Sequence, residues 1–128
     1  MNDAIKRSQV KAEIAKNRLY IILKGTVSAK ELESIYTDIR FCIADLKSGF
    51  NVITDLTEGK IGHLSGILTF KKIADYLVSQ KVGTVVRVVG KPSVLSNQIS
   101  RLTEIVQGYR PVYVATMEEA EEALKKPE

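Results

Sequence analysis

The sequence predicts an α/β fold: a mixed five-stranded sheet, with four parallel strands, one antiparallel edge strand and about four helices. Three observations lead there. The apolar spacing switches repeatedly between a strand period of two and a helix period of about 3.6 residues. Beyond the second strand the two patterns alternate, which demands parallel strands joined by helical crossovers. The first two strand patterns stand only a few residues apart, the spacing of an antiparallel hairpin.

Val10, Ala12 and Ile14 alternate with Lys11 and Glu13, so the first strand has one wet face. Lys16-Asn17-Arg18 interrupts the pattern, and Leu19 to Lys24 forms the second strand, with Gly25 as its end. Ser28-Ala29-Lys30-Glu31 has the form of a capping box. Leu32, Ile35, Tyr36, Ile39, Ile43 and Leu46 then mark one buried helical face, stopped by Gly49. A third strand is expected from Phe50 to Leu56, followed by a polar loop and a helix from about Gly66 to Gln80. Thr84 to Val89 is a β-branched run suited to a central strand. Pro92, Leu95, Ile99, Leu102 and Val106 give the next helix, which Gly108 ends. Val112 to Ala115 is a short strand, and Thr116 to Glu119 is a second capping box opening an acidic helix to about Lys126.

The 128 residues are enough for one domain with its own core. One cysteine, Cys42, excludes an internal disulfide framework, and one histidine, His63, excludes any two-histidine metal motif. No cofactor or metal is expected. No apolar run approaches the ~20 residues of a membrane span, and no secretory leader follows the charged N-terminus. These observations predict a soluble, cytoplasmic protein with no stable membrane insertion.

The formal charge is +4 with a pI near 9.2, so its distribution decides what it means. Residues 1–27 hold six bases and two acids, and residues 57–91 repeat those counts; residues 117–128 hold two bases and five acids. The cations are spread out and do not interleave with aromatics. Phosphate neutralisation needs clustered cations, so no nucleic-acid partner is expected.

Functional groups in parallel α/β sheets gather at the C-terminal ends of strands. The longest such connection runs from Asp55 to Gly66 and holds His63 and Ser65 near a helix start. Helix N-termini carry uncommitted N–H groups that favour an anion. Taken by itself, Ser65 reads first as an ordinary N-cap worth about 1 kcal/mol. His63 has only Asp55 and Glu58 as neighbouring carboxylates, and Cys42 reads as a small buried hydrophobe. Neither the Gly59/Gly62 nor the Gly62/Gly66 spacing matches a nucleotide-binding loop.

The element order resembles that of a STAS domain, the module of anti-sigma factor antagonists and of sulfate-transporter tails. In that family a strand ending in Asp-Leu-Ser precedes Asp-Ser-Ser-Gly at the start of the second helix. Here Asp55-Leu56-Thr57 precedes His63-Leu64-Ser65-Gly66 at the same spacing. Val85 to Gly90 and Pro111 to Val114 resemble the later family strands, so the likeness spans roughly residues 9–125. It implies a single STAS-like domain over 1–128, with residues 1–8 as a flexible tail. It also implies a phosphorylation candidate at Ser65 and partner-binding positions at Asp55, Thr57, His63, Leu64, Ser65 and Gly66. The family's acidic residue is replaced by His63 and its first serine by Leu64.

The resemblance implies a non-enzymatic interaction module whose partner is an anti-sigma factor with serine-kinase activity. A homodimer is a further expectation. A phosphate on Ser65 would add about −1.5 to −2 charge, and burying it against a partner without matching cations costs several kcal/mol. That cost exceeds the ~1 kcal/mol offered by the helix N-terminus, so docking should weaken. Lys60, Lys71 and Lys72 are close enough in sequence to soften the effect. The alternatives are a small-molecule or lipid sensor with Phe41, Leu68, Phe70 and Leu77 lining a groove, an enzyme using His63, and a scaffold without a switch.

Overall fold

A computed structural model describes residues 8–61, 64–90, 106 and 108–125. The five strands are β1 (Gln9–Glu13), β2 (Arg18–Val27), β3 (Asn51–Ile61), β4 (Val85–Val88) and β5 (Val112–Val114). They lie side by side in chain order, with β1 antiparallel to β2 and all other pairs parallel. The mixed sheet is the expected one. Among the described residues there are three α-helices: α1 (Ala29–Ile43), α2 (Leu64–Ser79) and α3 (Met117–Leu124). That is one fewer than expected, because the helix expected from Pro92 to Val106 falls almost wholly outside the described residues.

A turn of 3-10 helix, Ile14–Lys16, joins β1 to β2, and Asn17 closes it in the left-handed region at φ 52°. The Asn17 side chain then spans to Lys47, accepting from its N–H at 2.8 Å and donating to its carbonyl at 3.2 Å. Both capping serine/threonine positions act as the sequence indicates. Ser28 Oγ accepts from Glu31 N at 3.0 Å, and Thr116 Oγ1 accepts from Glu119 N at 3.1 Å. Each satisfies a donor that the helix ladder cannot reach.

Strand alternation divides the core between the two sheet faces. Leu19, Ile21 and Leu23 of β2 and Val52 of β3 point to one face, where they meet Leu32, Ile35 and Ile39 of α1 and Phe70, Ile73 and Leu77 of α2. Tyr20, Ile53, Val86 and Val88 point to the other, under Ala120 of α3. Arg18 and Tyr20 also bind the Glu121 carboxylate, tying α3 across β2. Tyr36 of α1 meets Tyr76 of α2 edge to face, with ring centres 5.7 Å apart.

Three sequence expectations are corrected. First, α1 ends at Ile43 rather than at Gly49; residues 44–48 form a turn, and Gly49, at φ 88°, redirects the chain into β3. Second, Gly25 does not end β2, which continues to Val27. Third, β3 does not stop at Leu56. Residues 57–61, expected as loop, belong to the strand, and 58–61 pair with β2 from Lys24↔Glu58 to Val27↔Ile61. Long-range pairing overrides the low strand propensity of Glu58, Gly59 and Lys60. Gly59 permits it, because a Cβ there would lie 2.7 Å from Leu23 Cβ.

Candidate functional site

β4 pairs with β3 only as far as Asp55↔Val88, so beyond that point β2 and β3 continue as a two-stranded ribbon. The ribbon begins at a bulge. Between the pairs Ile22↔Asp55 and Lys24↔Glu58, one residue of β2, Leu23, stands against two of β3, Leu56 and Thr57. Asp55 Oδ1 secures the bulge by accepting from Thr57 N at 3.0 Å and from Thr57 Oγ1 at 2.7 Å. Across the opening, Gly90 turns at φ 63°, and a Cβ there would lie 3.5 Å from Thr57 Cγ2. Glu58 reaches back to Lys24 at 3.7 Å.

The positions expected as one loop are therefore in two places. Asp55 and Thr57 sit at the root of the ribbon, where the sheet narrows. Ile61 ends β3 four residues beyond Thr57, about 13 Å at the rise of a strand. Leu64, Ser65 and Gly66 then form the first turn of α2, with Gly66 buried. Ser65 is the second residue of this helix rather than its cap. His63 lies outside the described residues. α2 starts two residues earlier than Gly66, so Leu64, Ser65 and Gly66 are all helical.

The first turn of a 16-residue helix concentrates uncommitted N–H groups and partial positive charge. Nearby cations on α2 are already engaged. Lys71 pairs with Asp75 at 3.0 Å, and Lys72 binds Glu33 of α1 at 2.9 Å. The Lys72 ammonium and the Thr69 hydroxyl hold the Glu33 carboxyl below its ordinary range. Both lysines thus neutralise local carboxylates, which lessens any softening of a charge at the helix tip.

A buried cation beneath this region is a feature that residue spacing did not reveal. Arg87 of β4 is 0% exposed. Its guanidinium donates to Tyr113 Oη at 2.9 Å and Tyr109 Oη at 3.0 Å, and it faces the Phe70 ring at 5.3 Å. Burial pushes the Tyr109 phenol above its ordinary value, and the Arg87 charge opposes the rise. The available signal was a lone cation inside a β-branched run.

Other expectations resolve separately. Phe70 and Leu77 are core residues, whereas Phe41 and Leu68 are 74% and 55% exposed, so the four do not line one groove. The gap among Ile21, Leu32, Phe70 and their neighbours is only about 10 Å³, room for roughly one water. Cys42 is half-buried; desolvation and then Asp38 and Asp45 push its thiol pKa up, away from nucleophile behaviour. Among the described residues no group of three or more metal-ligating side chains occurs, and no helix is long and apolar enough to cross a membrane.

No family model and no curated protein matches the sequence. Solved structures do match in fold. The anti-sigma factor antagonist SpoIIAA in its unphosphorylated form superposes with a TM-score of 0.67 at 17% identity, over 94% of this chain and 99% of that one. The Bacillus cell fate determinant SpoIIAA in the phosphorylated form gives 0.62 at 15% identity, over 91% and 98%. The murine anion transporter Slc26a9, in its inward-facing state, gives 0.67 at 13% identity, over 94% of this chain and 22% of the transporter. The sheet order, the antiparallel edge and these superpositions together establish a STAS-like α/β fold.

Proposed function

We propose that this chain is a non-enzymatic protein-interaction module that docks a regulatory partner, a serine-kinase anti-sigma factor, through the tip of α2. Phosphorylation of Ser65 releases that partner. The observation that carries this reading is the position of Ser65 in the first turn of α2, directly after the β2–β3 ribbon. A fold shared with SpoIIAA in unphosphorylated and phosphorylated forms supports it.

The physics of the switch is a balance of two electrostatic contributions. The helix start stabilises a phosphate by up to about 1 kcal/mol while the site faces water. Pressing the same anion against a partner removes its hydration at a cost of several kcal/mol. Lys71 and Lys72 already serve Asp75 and Glu33, so desolvation dominates. Each 1.4 kcal/mol lost is about tenfold in affinity. Asp55 and Thr57 act as positioning residues in this reading, because their hydrogen bonds set the ribbon that carries the chain to α2.

The test is to incubate the protein with a serine-kinase anti-sigma factor and ATP and to locate the phosphate by peptide mass analysis. Modification at Ser65, absent from Ser65→Ala, is expected. An unmodified Ser65 would remove the switch, and failure of the kinase to bind at all would remove the docking reading.

A further inference from the structure

At the far end of α2, a groove opens between the C-terminal ends of α1 and α2. It encloses about 490 Å³, within the range of small-ligand and peptide sites. Phe50, 1% exposed, forms its floor, and Arg40, Ser48, Ser79 and Lys81 stand on its walls. Tyr76 and Arg40 also border a second recess of about 350 Å³, which continues past Thr37 to the exposed ring of Phe41.

Two cations line this groove and no carboxylate does. Among the described residues neither Arg40 nor Lys81 forms an ion pair, in contrast to Lys71 and Lys72 on the same helix pair. Arg40 is held instead against the Tyr36 ring, with its guanidinium carbon 5.6 Å from the ring centre. Cations at helix C-termini offset the macrodipole, but each end carries only about half a negative charge. Those ends are also capped: Ala44 N bonds to Phe41 O, and Lys81 N bonds to Val78 O. Two full positive charges therefore outweigh the helix ends. Lys81 itself sits at φ 66°, a left-handed position where glycine is favoured.

We propose that this groove is a second docking site, for an acidic peptide segment of a partner protein. One carboxylate is placed at Lys81 and one at Arg40, with an apolar side chain against Phe41. Two recesses joined at Arg40 and Tyr76 suit an extended chain better than a compact ligand. The groove lies about 20 Å along α2 from Ser65, at 1.5 Å per residue, so the site stands independently of the phosphorylation reading.

The test uses a fluorescein-labelled hexapeptide alternating glutamate and leucine, followed by anisotropy and by amide chemical shifts of the labelled full chain. Saturable binding is expected, weakening with salt, with shifts centred on Arg40, Ser48, Tyr76 and Lys81. Arg40→Gln and Lys81→Gly should each weaken it about threefold to fivefold. Lys30→Gln, which removes the same charge at the opposite end of α1, should leave it unchanged. Lys81→Gly relieves the left-handed strain, so its melting temperature should match or exceed the parent's, and lost binding cannot then reflect unfolding. No saturable binding, equal binding of a lysine–leucine peptide, equal loss in Lys30→Gln, or shifts confined to the Ser65 end would each overturn the proposal.

Discussion

The Asp55 carboxylate accepts two hydrogen bonds from Thr57, one from the backbone N–H and one from the hydroxyl, and thereby fixes the bulge at which β3 changes register against β2. Asp55 thus stands both at the last β3–β4 pair and at the bulge where the ribbon toward α2 begins. Asp55→Ala should cost about 1 kcal/mol of stability, whereas Asp55→Asn, which keeps an acceptor, should cost less. Urea unfolding with an unchanged midpoint in Asp55→Ala would contradict this account of the bulge.

Gly59 tests the ribbon itself. A methyl group there meets Leu23 at 2.7 Å, and the Leu23 backbone is 3.1 Å away, so the strands cannot simply close around it. Gly59→Ala should destabilise by about 1–3 kcal/mol, the range for overpacking. Amide exchange should quicken first from Lys24 to Val27. Unchanged exchange would mean that the ribbon does not depend on this close approach.

The ribbon is also where sequence reasoning stopped short. Capping boxes, helix faces and the hairpin are local patterns, and Ser28, Thr116, Leu32 and Ile39 behave as those patterns require. Residues 57–61 carry glycine, lysine and glutamate, which locally favour a turn; only pairing with residues distant in sequence makes them a strand. The same blindness applies to Arg87, whose burial depends on three aromatic rings from other elements. Ser65 lies in the first turn of α2, a position local patterns indicate, but its separation from Asp55 depends on the ribbon and is not legible in the sequence.

Arg87 joins β4 to Tyr109 and Tyr113 without exposure to water. Arg87→Met should cost about 2–4 kcal/mol, because hydroxyls in a largely buried setting lose their donor. A thermal melt within a degree or so of the parent would argue against a structural role for this cation.

Tyr109 gives the pH dependence. Burial raises its folded-state pKa above the ordinary 10.0, so the folded protein holds the phenolic proton more tightly than the unfolded chain. This contribution is intact below pH 10 and is lost as pH rises from there through the folded value. Tyr109→Phe should flatten the alkaline loss of stability. An equally steep decline in that variant would assign the effect to another group.

The central claim is that charge at Ser65 governs docking at the tip of α2. Isothermal titration of a serine-kinase anti-sigma factor with the parent chain and with Ser65→Asp tests it most directly. The account predicts saturable binding by the parent and an affinity lower by about tenfold or more in the variant. Equal affinity for the two proteins would contradict it.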